Sequence, residues 1–218
     1  MTWFQKPPLA TPLDWGNSIN KGTVLHLAMN EGHGNVVRDL SMYGNHGTLK
    51  GCSWTDGGVR FNGTTDYITI PNFVLTFPAT ILLRINPANL TATSITFLSR
   101  NGDTSFVWYH RPSVPGIISI YEGDDNDGSA GVLQENIWQL VGLTFDAAGN
   151  GHHWYNGNQD TAFSTIVEPT NPFELRIGEW SNYDFHGTMS DVKVCNRALS
   201  AAEIKSYYIN PWQVYLDD

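Results

Sequence analysis

Cysteine is nearly missing from this chain: Cys52 and Cys195 are the only two in 218 residues. Two thiols allow one bridge at most, so a disulfide framework is excluded. What remains is a single bridge or two small buried apolar side chains. Positive charge is also scarce. Twelve Lys and Arg stand against 21 Asp and Glu, for a net charge of −9. That argues against a nucleic acid or an anionic membrane as partner, because both need a basic footprint. No apolar run reaches the length of a membrane span. The N-terminus MTWFQKPPLATPLDW has no apolar signal core, so the expectation is a chain made in a cytoplasm, or a piece of something larger. There is no G-x-S-x-G elbow and no Walker loop. The seven His show no zinc spacing, and His152 and His153, being adjacent, face opposite sides of a strand.

What is present suits sheets. The chain holds 21 Gly and 11 Pro, more than a helical protein tolerates and enough for many turns. Eight Trp, nine Tyr and ten Phe supply a large core with a surplus left for the surface. Residues 1–22 read as an extended arm, kept open by Pro7, Pro8 and Pro12. Its Trp3, Phe4, Leu9, Leu13 and Trp15 need burial, either on the chain's own domain or on a neighbouring subunit. Residues 23–218 then form one domain, as no repeat, low-complexity tract or linker divides them.

Strands are expected at 23–29, 59–61, 66–70, 80–85, 95–98, 105–109, 116–121, 138–145, 151–155, 173–177 and 187–195. Thr80 to Ile85 is almost continuously apolar and reads as a central strand. Asn30 to Gly47 reads as a loop, and Asn62-Gly63 as a hairpin turn. Asp124, Asp125 and Asp127 do not fit an EF-hand and read as a solvated hairpin tip. The tail MSDVKVCNRALSAAEIKSYYINPWQVY joins an alternating strand to one short helix. Ser200-Ala-Ala-Glu203 is a capping box for that helix, and Pro211 cannot continue it. The expected fold is all-β: a two-sheet antiparallel jelly-roll sandwich with one short C-terminal helix.

The same segments resemble laminin-G-like and pentraxin-like domains of the concanavalin A-like jelly-roll family. Leu27-Ala-Met-Asn-Glu-Gly32 resembles the family's opening strand and loop. Asp39-Leu-Ser-Met-Tyr-Gly-Asn-His-Gly47 is similar to its DxSGNGNHG loop. Val59-Arg-Phe-Asn-Gly-Thr-Thr-Asp-Tyr67 is similar to the FDGxxDYV hairpin. Trp138 to Asp146 with His153-Trp-Tyr-Asn-Gly157, and the tail, resemble the remaining blocks. The proline-rich arm, Leu13-Asp14-Trp15 and Asn210-Pro211-Trp212 also look like compact members from tailed bacteriophages.

The resemblance implies binding sites. In pentraxin-like members two loops on one sheet face hold calcium and a ligand. The matching loops here are Arg100 to Thr104 and Gly178 to His186. Asp103, Glu179, Asn182 and Asp184 would supply the hard oxygens that Ca²⁺ prefers, or else form a solvated polar loop. Trp180, Tyr183 and Tyr109 would stack on a sugar face. A structural Ca²⁺ in such folds would fall to Glu31, or a nearby carbonyl, and Asp191; the alternative is that Asp191 caps a turn or pairs with a basic residue.

Glycosidases of this fold carry an E-x-D-x-E strand, whose alternate residues share the cleft face. None is present; Glu122-Gly-Asp124 begins one, but Asn126 stands where the second Glu is needed. The Arg-x-Glu-x-Arg strand of alginate-lyase-like members is missing too. The chain is therefore expected to be no enzyme but a glycan-binding module, a virion decoration or tail-associated adhesion protein. Its partners would be a glycan or cell-surface polysaccharide, with capsid or tail proteins held by the arm and room for a homo-oligomer. A purely structural virion protein is the alternative. A polysaccharide-cleaving enzyme, with carboxylates about 5–10 Å apart, is the third reading.

Overall fold

The computed structural model describes residues 6–9, 11–90, 95–101, 105–114, 116–129 and 131–216. Sixteen strands appear among them in chain order: β1 (Thr23–Leu27), β2 (Val36–Val37), β3 (Gly47–Lys50), β4 (Ser53–Thr55), β5 (Gly58–Asn62), β6 (Tyr67–Phe73), β7 (Ala79–Pro87), β8 (Ile95–Arg100), β9 (Ser105–His110), β10 (Ile118–Glu122), β11 (Asp125–Asp127), β12 (Gln139–Phe145), β13 (Gly151–Tyr155), β14 (Asn158–Phe163), β15 (Phe173–Ile177) and β16 (His186–Cys195). Helix α1 (Ala201–Ile209) follows. The first sheet runs β14-β13-β12-β7-β16-β5-β4, with β1 also paired to β16. The second runs β11-β10-β9-β8-β15-β6-β3-β2. All pairings are antiparallel. The expected two-sheet sandwich with one short helix is what forms.

The main core lies between the sheets and includes Phe61, Ile68, Leu83, Phe97, Trp108, Phe145 and Val192. Each such side chain contributes roughly 1.5–3 kcal/mol on burial. The apolar run at β7 is central, as expected, with β12 on one side and β16 on the other.

A second core covers the outer face of the first sheet. Leu82, Leu140 and Trp154 from the sheet meet Ile204 and Tyr207 from α1, Val214 and Tyr215 from the tail, and Leu13 and Ile19 from the arm. Arm and tail are tied together: Asp14 N donates to Val214 O at 2.8 Å, and Asn20 Nδ2 to the same carbonyl at 2.6 Å. This part of the arm therefore packs on its own domain, while Leu9 and Trp15 stay exposed. Trp3 and Phe4 lie outside the described residues.

The capping box forms as its spacing predicts. Ser200 Oγ accepts from Glu203 N at 3.3 Å, and Ser200 N donates to Glu203 Oε2 at 2.9 Å. Arg197 adds two hydrogen bonds to the same carboxylate, at 3.0 and 2.7 Å. Both cysteines are free thiols, Cys195 buried and Cys52 half-buried. The acidic segment corrects an expectation. Gly123 and Asp124 do form an exposed hairpin tip, but Asp125 to Asp127 is a strand, β11, paired with β10, and Arg111 Nη1 bonds Asp125 at 2.6 Å while its other nitrogen bonds Asp127.

Candidate functional site

Strand register defines the outer face of the second sheet. Leu98, Trp108, Ile120, Ile177 and Ile68 point into the main core. The residues between them point away, since side chains alternate along a strand. One row crosses the sheet as Thr69, Arg176, Ser99, Val107, Tyr121 and Asp125. A second row holds Thr96, Tyr109, Ser119 and Asp127.

The loop from Gly178 to Phe185 folds along β8 on this face. Gly178 N donates to Phe97 O at 3.1 Å, Thr96 N to Tyr183 O at 3.1 Å, and Ser99 Oγ to Glu179 O at 2.6 Å. Phe185 anchors the loop in the core, edge-on to Phe61 at 5.6 Å. Gly178 is required there: its φ is +92°, and a Cβ would fall 2.6 Å from the Phe61 ring. Ser181 and Asn182 also have positive φ, 57° and 96°, which the surrounding bonds must hold.

That geometry presents aromatic rings. Trp180 and Tyr183 stack with centroids 5.5 Å apart and planes 24° apart. Tyr121 joins them, 6.5 Å from Trp180. Tyr183 is 40% exposed, while Trp180 and Tyr121 are half-buried. Beside them Arg176 bonds Glu174 at 3.0 Å and Glu179 at 2.5 Å, and covers the Tyr67 ring at 4.7 Å. Thr69, Thr96 and Ser119 hydroxyls on this face have no hydrogen-bond partner among the described residues.

The expected site residues divide. Trp180, Tyr183, Asn182 and Glu179 lie together on the loop. Asp184 is buried at its base, and burial with repulsion from Glu179 and Asp66 pushes its carboxyl up to about 6. Tyr109 does not join the platform: it is 9% exposed and its hydroxyl donates to Asp125 at 2.5 Å. Burial and that carboxylate push its phenol well up. Asp103 lies outside the described residues. Tyr121 and Arg176 were missed; strand alternation put them on a polar face, but not which strands would neighbour them.

Calcium does not fit the described residues. No three His, Cys, Asp or Glu side chains among them converge to hold a metal. Glu179 is taken by Arg176. At the second expected site, both Asp191 oxygens are used: Oδ1 accepts from His26 Nε2 at 3.0 Å and Oδ2 from the Tyr207 hydroxyl. Glu31 instead accepts from Arg38 N at 2.7 Å. The nearby carbonyls of Ala28 and Met29 both accept from Lys6 Nζ at 2.9 Å. An ammonium from the arm thus holds the carbonyls offered to an ion.

The profile of the concanavalin A-like lectin/glucanases superfamily matches residues 62–205, more than half of the chain. The chain belongs to this superfamily. Similar folds occur in solved structures of low sequence identity. Domain 4 of AbnA, a GH43 extracellular arabinanase from Geobacillus stearothermophilus, in complex with arabinotriose, aligns at TM-score 0.69 and 16% identity, over 84% of this chain and 97% of that one. Trypanosoma rangeli sialidase in complex with sialic acid aligns at TM-score 0.69 and 16% identity, over 90% of this chain and 34% of the sialidase. The binding domain of botulinum neurotoxin serotype D aligns at TM-score 0.66 and 14% identity, over 88% and 53%. No functionally curated protein matches the sequence significantly.

These likenesses correct one expectation. The missing E-x-D-x-E strand makes a non-enzyme the expectation from sequence. Yet the similar folds include parts of glycoside hydrolases, an arabinanase and a sialidase. The motif describes one way to aim carboxylates along a strand; residues from separate strands and loops can also converge, so its absence excludes nothing.

Proposed function

We propose that this superfamily member recognises glycans on the outer face of its second sheet, at the platform of Trp180, Tyr183 and Tyr121. The observation that carries the reading is the Trp180–Tyr183 stack on a loop pinned to β8. Indole and phenol faces bury the C–H face of a sugar, and adjacent polar groups bond its hydroxyls. Asn182, Arg176 and Glu174 supply those groups. The arabinotriose and sialic acid named with the similar structures support carbohydrate as the ligand class.

The test is a panel of neutral and acidic glycans, with Ca²⁺ and again with EDTA. Saturable binding that survives EDTA and is lost in Trp180→Ala is expected. A panel without one binder would overturn the reading. The setting that suits it is a phage adhesion protein, with exposed Leu9 and Trp15 of the arm offered to a capsid or tail neighbour.

One observation favours a second reading at the same place, glycoside cleavage. Asp184, raised to about 6, lies in the field of Glu179, which Arg176 pairs. Two carboxyls with divergent environments are what acid/base cleavage uses. Reducing-end release from the bound glycan, abolished in Asp184→Asn with binding kept, is the expected signature. Release unchanged in that variant would remove it.

A further inference from the structure

A cavity of about 600 Å³ lies on the other side of the molecule, over the outer face of the first sheet. Its walls include Lys6 of the arm, Asp56 from the β4–β5 turn, Arg84 of β7, Trp138 before β12, Ser190 of β16 and Trp212 of the tail. Both tryptophans are half-buried, so their rings are held yet still reach the cavity. The Arg84 guanidinium sits 5.9 Å over the Trp212 ring. Lys6 spends two N–H groups on the Ala28 and Met29 carbonyls, which leaves its third. Register shifts between Met189 and Asp191, and there Ser190 lines the cavity. Ser190 is 3% exposed, and its Oγ has no hydrogen-bond partner among the described residues.

The chemistry of these walls selects among ligands. An apolar ligand would strip water from Lys6 and Arg84 without returning hydrogen bonds, which is costly. An anion gains little, because each cation already has a carboxylate in its field. Asp191 acts on Arg84, Glu31 and Asp191 act on Lys6, and Asp56 adds a further negative charge. A neutral polyhydroxyl ring meets the remaining conditions: aromatic faces for its C–H side, donors from Arg84 and Lys6, and an acceptor from Asp56.

We propose that this cavity is a second carbohydrate-binding site, taking one or two neutral sugar residues of an oligosaccharide between Trp138 and Trp212. It shares no residue with the Trp180 platform and does not rest on that reading. It also gives the arm a role in binding, since Lys6 forms one wall.

The test uses the full chain with ¹⁵N-labelled tryptophan, its indole signals assigned through Trp138→Phe and Trp212→Phe. Cellotriose, maltotriose, mannotriose and arabinotriose are titrated, with trigalacturonate as the acidic counterpart. At least one neutral trisaccharide should shift both the Trp138 and Trp212 signals to saturation. Lys6→Met and Arg84→Met should each weaken that response by about tenfold, the loss of one charged hydrogen bond. Arg84 is buried, so Lys6→Met on the arm is the variant that decides if Arg84→Met does not fold. Trp180→Ala should leave the response unchanged, even where it abolishes binding at the other face. Neutral sugars that leave either signal still would overturn the proposal. So would tighter binding of trigalacturonate at these two indoles, an unaltered affinity in Lys6→Met, or loss of the response in Trp180→Ala.

Discussion

The outer faces of the two sheets carry similar residue types and treat them in opposite ways. On the first sheet, His26, Asp191 and Lys193 are all 1% exposed or less. Arm, helix and tail cover them, and they satisfy one another: Asp191 takes His26 and Tyr207, and Lys193 donates to Asn20 at 2.9 Å. On the second sheet, Arg176, Glu174 and Glu179 form ion pairs at a surface that water reaches. Charged groups under a cover need partners, because an orphan charge there is costly. Polar groups on an open face keep spare valences for a ligand. Where arm, helix and tail seal the first sheet, its polar groups stabilise the fold; the cavity beside that seal and the outer face of the second sheet are left to ligands.

The sharpest way to break this contrast is to remove one charge from the closed face. Asp191→Ala leaves Tyr207, His26 and nearby Arg84 without their carboxylate. Breaking a buried pair in this way costs about 3–5 kcal/mol, measurable by urea unfolding. A loss under 1 kcal/mol would show that the network contributes little. On the open face the effect should move from stability to affinity. Trp180→Ala should weaken glycan binding by about tenfold or more, from the roughly 0.5–1.5 kcal/mol of a stacked ring plus the apolar area it buries, and leave the urea midpoint nearly unchanged. If both quantities fell together, the loop would be serving the fold rather than a ligand.

The sequence was most legible where local rules coincide with the fold. The apolar run at β7 is central because both its faces are buried, and Ser200 with Glu203 is a self-contained signal. The short strands β2, β3, β4, β11 and β14 were unread. They hold two to six residues, and several are rich in polar side chains that pair only because a neighbour is there. The two tyrosines show the limit for the site. Tyr109 and Tyr121 both sit on the outer face, but Asp125 of β11, two strands away, and Arg111, just past the end of β9, close over Tyr109. Which ring stays open depends on strand order, which alternation does not encode. In the same way, the polar positions of β16 face away from the main core, yet the arm and α1 bury them.

A smaller effect is expected at the edge of the closed face. Glu203 is held down to about 2 from its ordinary 4.5 by Arg197, with further bonds from Ser200. Its contribution is complete above about pH 4.5 and is lost as pH falls through about 2. Water screens the pair, so Glu203→Gln should cost about 1 kcal/mol at pH 7, cap included. The difference between variant and parent should shrink in acid. A constant difference from pH 7 to pH 2 would mean that the hydrogen bonds act without the charge.

Asp184, at the base of the open face, gives the smallest effect and the opposite sign. Its folded carboxyl titrates near 6 rather than 3.8, so the folded chain prefers it neutral. Raising pH from about 4 to 6 ionises the unfolded chain first, and stability falls through that window. Above it the penalty is full. Asp184→Asn removes the titration and should stabilise the protein at pH 7 while matching the parent near pH 4. Asp184 itself is buried, but Ser181 to Tyr183 beside it are exposed and let water screen its charge, which limits the gain to below about 1 kcal/mol. A stabilised Asn variant would mean that the open face tolerates a poorly placed charge, as a binding or reacting site does. A destabilised one would place Asp184 with the mutually satisfied residues of the closed face, and the contrast between the two faces would weaken at that point.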